Sequence, residues 1–229
     1  MNICIVGYGS IGKRHHKTLS AVLDDNARFT IIDVNTKIQV DDICHDEFDI
    51  LVICTPSASH LSIASKFSNI KNLIFIEKPL STSIDDIDDY KNKIDFDKVH
   101  VGCNLRFTEP YKRIKELSNT AKLINVVSMS HLPGWRPHSN HLESYSANKR
   151  LGGGVIFDFI HEPDYIADIF GLPIQSKLIE RKVFKNITND ASDSALILWE
   201  YNNKLINFCL SYGSKDFKRY VEIIDENCE

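Results

Sequence analysis

The sequence predicts an α/β protein in two parts: a parallel sheet flanked by helices, then an α+β domain with a mostly antiparallel sheet. Over about the first hundred residues, short apolar strands alternate with helical segments, which favours a doubly wound parallel sheet. After Cys103 the strands become longer and often alternate between apolar and polar residues, as in a sheet with one buried face. We therefore expect two domains, residues 1–104 and residues 105–229.

The elements of the first domain follow from apolar runs separated by polar, helix-forming segments. Its predicted strands are Ile3–Val6, Thr30–Asp33, Ile38–Val40, Ile50–Thr55, Leu73–Ile76 and Val99–Cys103. Its predicted helices are Lys13–Leu23, His60–Phe67 and Ile84–Asn92, the last with Ser83 as its N-cap. Only four residues, 34–37, separate the second and third strands, whereas a parallel crossover needs about a dozen. Either a helix has been lost there, or residues 38–40 do not form a parallel strand beside the preceding one.

The second domain is predicted from longer strands and one helix. The strands are Ala121–Ser130, Lys177–Phe184, Ser194–Tyr201, Lys204–Tyr212 and Tyr220–Asp225. The segment Tyr201-Asn-Asn-Lys204 predicts a hairpin turn. A helix at Asp158–Phe170 follows three consecutive glycines.

Composition and charge exclude several classes of function. The chain is 43% hydrophobic and 25% charged, as in an ordinary globular protein, and its net charge of -4 is not that of a nucleic-acid-binding protein. No apolar run approaches the length of a membrane span. The six cysteines and the scattered histidines lack zinc-ligand spacing, so we expect no metal site. The cysteines also show no disulfide framework, so we expect a reducing cytoplasm. Residues 15–17 are expected to form a solvated helix face. Because a core strand opens the chain, we also expect no cleavable signal peptide.

Residues 3–12, ICIVGYGSIG, are typical of a Rossmann dinucleotide-binding turn. A short buried strand precedes glycines at G-x-G-x-x-G spacing, and a helix-forming segment follows. In this setting Gly7 permits the tight turn, Gly9 lets the backbone approach a pyrophosphate, and Gly12 lets helix and strand pack closely. The helix N-terminus, with Ser10 and Ile11 between the last two glycines, offers N–H groups to the diphosphate. The alternative is a glycine turn in some other α/β protein.

Asp33 indicates which dinucleotide binds. It ends the second predicted strand, about twenty residues after the glycine turn, where a carboxylate accepts the ribose hydroxyls of NAD. A carboxylate there would repel the 2′-phosphate of NADP, and no arginine follows it closely. The sequence therefore predicts NAD rather than NADP.

Four further motifs follow one another along the chain. They are Cys54-Thr55-Pro56 with His60, Glu77-Lys78-Pro79, Asn104 and Arg106 after Val101-Gly102-Cys103, and the segment from Gly152-Gly153-Gly154 through Asp158, His161-Glu162 and Asp164. In this order, and together with the glycine turn, they resemble the Gfo/Idh/MocA family of nicotinamide-dependent sugar oxidoreductases. The resemblance extends over nearly the whole chain.

The resemblance implies a Rossmann domain for the cofactor, a sheet domain for the substrate, and a catalytic lysine at Lys78. It also implies that the family's acid and histidine correspond to Asp158 and His161. As residues i and i+3 of one helix, these two side chains would share a face. His161 is the natural base, because the pKa of histidine lies nearest neutrality. The alternative for this pair is a capping acid and a surface histidine.

The resemblance also assigns the remaining site residues. Thr55, Pro56, His60 and Glu77 would lie on the cofactor side, although a proline turn followed by a helix histidine would give the same pattern. The spacing of His161-Glu162-Pro-Asp164-Tyr165 resembles a branch that commonly occurs with surface-polysaccharide or acidic-sugar biosynthesis genes. This implies a sugar or nucleotide-linked sugar as substrate, bound by Asn104, Arg106, Trp135, Arg136 and Tyr145. Packing or surface roles for Trp135, Arg136 and Tyr145 remain open.

The sequence differs from the family at the C-terminus, because relatives usually continue beyond the strand that precedes Glu229. We therefore expect an incomplete second domain with an uncovered apolar sheet face, and a homo-oligomer formed through that sheet. The chain could be a shortened natural protein, a laboratory fragment or the product of a decaying gene. Two alternative functions stay open: an enzyme that uses NAD transiently for epimerisation or elimination, and a non-catalytic NAD-binding protein.

Overall fold

A computed structural model describes residues 1–23, 25–36, 39–42, 47–67, 69–135 and 137–228. The chain divides into two compact units, Met1–Gly102 and Cys103–Glu229, called here the first and second units. Among these described residues, no helix is both long enough and apolar enough to cross a membrane.

The first unit is built on a five-stranded parallel sheet. Its strands are β1 (Asn2–Val6), β2 (Arg28–Ile32), β3 (Ile50–Ile53), β4 (Leu73–Ile76) and β5 (Val99–Val101). They lie in the order β2-β1-β3-β4-β5, and every neighbouring pair is parallel. The prediction of a doubly wound parallel sheet is confirmed. The central strands are short because each contains little more than its buried apolar run, such as Leu51 to Ile53 in β3.

Three α-helices connect these strands: α1 (Ser10–Val22), α2 (His60–Ala64) and α3 (Ile84–Tyr90). A 3₁₀ turn, Ser65–Phe67, continues α2. The Ser83 hydroxyl accepts a hydrogen bond of 3.1 Å from the backbone N–H of Asp85, as expected of an N-cap. Further 3₁₀ turns lie at Val40–Asp42, Ser57–Ser59 and Phe96–Lys98.

The strand predicted at residues 38–40 is wrong at Val40, which begins a 3₁₀ turn. The backbone N–H of Asp42 donates to the carbonyl of Gln39 (3.1 Å), and the Asp42 carboxylate accepts from the N–H of Gln39 (3.0 Å). This local pairing satisfies backbone groups that a strand would share with a neighbour. Ile38 lies outside the described residues.

The second unit contains a five-stranded mixed sheet. Its strands are β6 (Ala121–His131), β7 (Gln175–Arg181), β8 (Ser194–Tyr201), β9 (Lys204–Ser211) and β10 (Gly213–Asp225). In the order β10-β6-β9-β8-β7, β6 and β9 pair in parallel and the other neighbours are antiparallel. The mostly antiparallel sheet and the hairpin at Tyr201–Lys204 are confirmed. Strand β7 ends before the predicted Phe184, because the N–H groups of Val183 and Phe184 donate to the Asp193 carboxylate instead.

The helices of the second unit are α4 (Glu109–Leu117), α5 (Val155–Asp158) and α6 (His161–Phe170). Helix α4 was not predicted. The prediction of one helix over Asp158–Phe170 is wrong, because Phe159 and Ile160 separate α5 from α6. Pro163 explains the break: it has no N–H to donate to the Phe159 carbonyl, and its ring would collide with that carbonyl in a continuous helix.

The two faces of the second sheet differ in exposure. Ile124, Val126, Ile206, Phe208 and Leu210 point to the core, which they form with Val155, Phe159 and Ile166 from the helical segments. The opposite face carries exposed leucines, including Leu196 at 54% and Leu198 and Leu205 at 45%. The second unit therefore has an uncovered apolar face.

Candidate functional site

The glycine turn is closely packed at Gly7 and Gly12 and open at Gly9. Gly7 has φ +91°, and a Cβ there would lie 2.7 Å from the Cys54 carbonyl. A Cβ on Gly12 would lie 2.0 Å from the Gly7 carbonyl oxygen, so α1 approaches the turn more closely than any side chain allows. Around Gly9 the space is open, with nothing within 4 Å of a Cβ. Gly7 and Gly12 thus lie where the turn is tight and closely packed, and the approach of a pyrophosphate to Gly9 stays a prediction.

Asp33 lies immediately after β2 and is bound to the glycine turn. Its Oδ2 accepts a 2.7 Å hydrogen bond from the backbone N–H of Tyr8, and its Oδ1 accepts from the backbone and side chain of Asn35 at 3.1 and 3.0 Å. The Tyr8 hydrogen bond is the main cause that lowers the pKa of Asp33. A carboxylate has about four lone-pair sites, so acceptor capacity remains for a ligand hydroxyl. The turn and a charged carboxylate are thus joined directly.

His60 lies beside the end of β3 but is only 1% exposed, so it is a core residue rather than a residue lining a cavity. Its Nε2 lies 2.9 Å from the Thr55 carbonyl and its Nδ1 lies 2.8 Å from the Pro79 carbonyl. Burial lowers the pKa of His60, against the smaller opposing effects of the two carbonyls and Glu77. Thr55 follows β3, and its hydroxyl accepts from Ser59 at 2.9 Å. Pro56 is exposed at the start of the 3₁₀ turn.

Glu77 and Lys78 follow β4, and the bond between Lys78 and Pro79 is cis. The Glu77 carboxylate does not stand alone: its Oε1 lies 2.6 Å from Nε2 of His15 on α1. The prediction of a solvated helix face at residues 15–17 is therefore wrong for both histidines. His16 lies 2.6 Å from the Tyr8 hydroxyl, whereas Lys17 is exposed as expected.

In the second unit, two tyrosine hydroxyls bind the carboxylate of Asp158. Tyr145 donates to Oδ1 at 2.5 Å and Tyr212 donates to Oδ2 at 2.7 Å. Asp158 is 7% exposed and Tyr212 is fully buried. Burial is the main cause that raises the pKa of Tyr212 well above its usual range, and the nearby carboxylate raises it further. Tyr145 therefore has a hydrogen-bond partner within the protein, and its contact with a sugar stays a prediction.

Asp158 ends α5, whereas His161 begins α6 and is half-buried. Because the chain leaves helical geometry between them, the argument that residues i and i+3 of one helix share a face does not apply. Only Phe159 and Ile160 separate the two residues, and Phe159 packs into the core.

The guanidinium of Arg106 is held by acids on α6. It makes a two-point contact with Asp164, at 2.8 and 2.5 Å, and a 2.5 Å contact with Asp168. The hydrogen bond to Asp164 is the main cause that raises the pKa of Arg106. Tyr111 on α4 also donates to Asp168, at 2.5 Å. Arg106 thus links its own 3₁₀ turn to α6, while Asn104 at the start of that turn is exposed.

Trp135 belongs to an aromatic cluster. Its ring meets Tyr212 edge-on at 5.5 Å and Phe159 at 6.1 Å between centroids, and its Nε1 donates to the Ser130 hydroxyl at 2.9 Å. The ring is 40% exposed, so one side remains open to solvent. Arg136 lies outside the described residues.

A separate cavity of about 510 Å³ lies in the second unit among α4, Tyr165 and β10. Its described lining residues do not include Asp158, His161 or Arg106. Arg219 reaches its edge and donates to the fully buried Glu162 at 2.6 Å. In the part of the chain that the structure describes, no group of three or more His, Cys, Asp or Glu side chains could hold a metal ion.

The sequence does not predict the contacts of two residues of the candidate site, His15 and Tyr212. His15 was assigned to the surface, and Tyr212 was assigned to a strand without any role. A histidine three residues after the last glycine of the turn lies on the first turns of α1, and this position could have drawn attention to His15. The sequence carries no local signal for Tyr212, whose partner Asp158 lies 54 residues earlier.

Residues 1–105 match the sequence profile described as "Oxidoreductase family, NAD-binding Rossmann fold", GFO_IDH_MocA. This match spans the whole first unit. The first unit therefore belongs to the Gfo/Idh/MocA oxidoreductase family. The predictions of this family and of an NAD-binding Rossmann domain are confirmed.

Two curated relatives align with much of the chain. The uncharacterized oxidoreductase YrbE of Bacillus subtilis is 27% identical over 194 residues, which cover 73% of this chain and 53% of that protein. Myo-inositol 2-dehydrogenase of Thermotoga maritima is 24% identical over 208 residues, which cover 80% of this chain and 59% of that protein. The chain thus spans little more than half the length of these relatives.

The fold of this chain is also found in solved structures. The WlbA dehydrogenase from Bordetella pertussis, solved in complex with NADH and UDP-GlcNAcA, aligns with a TM-score of 0.80. It is 16% identical, and the alignment covers 98% of this chain and 75% of that one. At this identity the likeness shows the fold alone, and it includes the second unit.

Proposed function

We propose that this protein is an NAD-dependent oxidoreductase that transfers hydride between nicotinamide and a hydroxyl or keto carbon of a sugar or nucleotide-linked sugar. One observation carries the proposal: the Asp33 carboxylate is bound to the N–H of Tyr8 inside the glycine turn. This contact holds a carboxylate, which would accept the ribose hydroxyls, beside a turn with open space at Gly9. The family of the first unit supports the same reading.

The residues present fit a dinucleotide. The backbone at Gly9, Ser10 and Ile11 would hold the pyrophosphate at the start of α1, and Asp33 would accept the ribose hydroxyls. When bound, NAD supplies the acceptor for the hydride of the oxidised carbon. The lowered pKa of Asp33 keeps its charge at neutral pH, which supports NAD over NADP.

Oxidation of a hydroxyl also needs a base and a cation, and we assign these roles to His161 and Lys78. His161 takes the hydroxyl proton, because its ordinary pKa lies nearest neutrality. The Lys78 ammonium stabilises the developing alkoxide from the carboxyl end of β4, the end at which parallel sheets bind ligands. Asp158, held by the hydroxyls of Tyr145 and Tyr212, would orient the imidazole or bind a sugar hydroxyl.

We propose an acidic or nucleotide-linked sugar as the substrate, in surface-polysaccharide or acidic-sugar biosynthesis. The UDP-GlcNAcA bound in the WlbA dehydrogenase structure supports this class, and the inositol dehydrogenase supports polyols more broadly. Arg106 is a weak candidate for binding the acidic group, because Asp164 and Asp168 already occupy its guanidinium.

Calorimetric titration with NADH and NADPH tests the cofactor site. We expect micromolar binding of NADH, at least ten-fold weaker binding of NADPH, and a loss of this preference in Asp33→Asn. Asp25→Asn is a matched control, because Asp25 is an exposed acid between α1 and β2. Equal affinity for both dinucleotides, or no binding by a folded sample, would contradict the assignment.

We also propose that two copies associate through the apolar face of the second sheet. The exposed Leu196, Leu198 and Leu205 lie on one face of neighbouring strands, and burying them removes apolar surface from water. Leu196→Lys is expected to shift the protein to monomer in analytical ultracentrifugation, whereas the exposed Leu172→Lys is not. A wild-type protein that stays monomeric at high micromolar concentration would contradict this interface.

A further inference from the structure

Two histidines contact the residues on either side of Lys78. The His15 imidazole lies 2.6 Å from the Glu77 carboxylate, directly before Lys78 in the chain. The His60 imidazole lies 2.8 Å from the carbonyl oxygen of Pro79, directly after it. Both contacts lie within the first unit.

The His15 contact joins the cofactor turn to the strand that carries Lys78. His15 belongs to α1, which begins at Ser10 directly after Gly9, and its ring also packs edge-on against Phe75 of β4 at 5.0 Å. The other oxygen of Glu77 lies near Gly102, directly after β5, where an added Cβ would be 3.3 Å from it. The Glu77 carboxylate therefore contacts α1 through His15 and lies next to the end of β5.

The His60 contact joins the ends of two neighbouring strands. One ring nitrogen faces the Thr55 carbonyl after β3 and the other faces the Pro79 carbonyl after β4. A neutral imidazole donates to one of these carbonyls, and an imidazolium donates to both. At 1% exposure the ring has no room to turn away, so it fixes the spacing of the two strand ends.

We propose that His15 and His60 are positioning residues that hold the segment 77–79 and so fix where the Lys78 ammonium is presented. This inference rests on the proposed function, in which Lys78 stabilises the alkoxide. Lysine has a flexible four-carbon stem, so its backbone must be held if its charge is to meet one oxygen. The His15 contact also ties the position of Lys78 to the helix that begins at the cofactor turn.

The variants His15→Ala, His15→Gln, His60→Ala and His60→Asn test the proposal, with the exposed His100→Ala of β5 as control. The Gln side chain can still donate to Glu77, and an Asn amide can donate to a carbonyl that the imidazole faces, such as that of Pro79. We expect kcat to fall about 10- to 100-fold in the alanine variants, in line with a misplacement of about 1 Å. The KM for NAD should change less than three-fold, the Gln and Asn variants should recover most of the rate, and the control should match wild type.

A second readout does not depend on turnover. The reactivity of the Lys78 ε-amino group toward isotopically labelled acetic anhydride is followed against pH by peptide mass spectrometry. We expect the Lys78 profile to change in His15→Ala and His60→Ala while the profiles of exposed lysines such as Lys112 stay fixed. If wild type binds NADH without turning over any sugar, the proposed function fails, but this labelling still tests the positioning role. Unchanged labelling of Lys78 in a folded His15→Ala protein would overturn it, and His15 suits this test because its side chain is 26% exposed.

Discussion

Alanine substitutions at two glycines of the same turn should affect different properties: Gly12→Ala should lower stability, and Gly9→Ala should lower the affinity for NADH. A Cβ at Gly12 would lie 2.0 Å from the Gly7 carbonyl oxygen, about 1.5 Å inside the separation of roughly 3.5 Å at which nonbonded heavy atoms attract. The obstructing atom is backbone in a turn that is itself packed against Cys54, so it has little freedom to move. We expect Gly12→Ala to cost about 3 kcal/mol, the upper part of the range for overpacking.

This loss is large enough to measure by urea unfolding. With an m value of about 1–2 kcal/mol/M for a unit of this size, the midpoint falls by roughly 1.5 to 3 M. The transition should be followed by far-ultraviolet circular dichroism and by hydrogen exchange in β1. Tryptophan fluorescence is unsuitable, because Trp135 and Trp199 both lie in the second unit.

Gly9→Ala is the matched variant. A Cβ at Gly9 meets nothing within 4 Å, so we expect a cost of only about 0.5 kcal/mol, from the poorer N-cap. Its affinity for NADH should nevertheless fall at least ten-fold, because the methyl group fills the space in which the pyrophosphate approaches the backbone. A Gly12→Ala protein as stable as wild type would refute the packing argument. Undiminished NADH affinity in Gly9→Ala would refute the placement of the pyrophosphate.

Three further predictions concern buried or charged side chains. Tyr212→Phe removes a donor to the buried Asp158 carboxylate and should lower the free energy of unfolding of the second unit by about 1–3 kcal/mol; tryptophan fluorescence, which reports on that unit, follows the unfolding, and the exposed Tyr220→Phe should change this free energy little. Because the pKa of Asp33 is lowered below 3.8 in the folded protein, its stabilisation is present above about pH 4 and is lost as pH falls through the folded pKa; urea midpoints should separate wild type from Asp33→Asn at pH 7, the gap should narrow as pH falls below about 4, and a constant gap would contradict this. Burial raises the pKa of Cys4 and Cys54 to about 12, so iodoacetamide at pH 8 should alkylate the exposed Cys228 and spare both in the folded protein, as peptide mass spectrometry would show.

Much of the fold could be predicted because the parallel sheet leaves a strong local signature. Its central strands β1, β3 and β4 are mostly buried, so they appear in the sequence as short continuous apolar runs bounded by turns. Leu73–Ile76 is predicted with its observed bounds for this reason, and so is Ser194–Tyr201 of the second sheet, in which residues 195–199 form a continuous apolar run. Helix α4 was missed because its short segment, EPYKRIKEL, has few apolar residues to mark a buried face.

The contacts of the candidate site were beyond the sequence because they join residues far apart in the chain. His15 meets Glu77 62 residues away, and Arg106 meets Asp164 and Asp168 58 and 62 residues away. No local pattern shows that a charge will be neutralised at such a distance. Arg106 therefore resembled a free cation for a substrate, and His15 resembled a surface residue.

The break between α5 and α6 has a cause that is visible in the sequence. Pro163 was recognisable as a first-turn residue, and it is the third residue of α6. That position implies a helix start near His161, which removes Asp158 from the same helix. The predicted helix began too early because the acid and the histidine were assigned to one element.

Hydride transfer itself is the measurement that tests the account most directly. The purified chain is incubated with NAD and either UDP-GlcNAcA or myo-inositol, while absorbance reports NADH and mass spectrometry reports the sugar, so that transient use of NAD is also detected. We predict turnover of one of these classes, a loss of at least 100-fold in Lys78→Ala and His161→Ala, and NADH binding retained in both variants. Folded protein that binds NADH but changes none of these sugars, or a Lys78→Ala variant that turns over at the wild-type rate, would contradict the account.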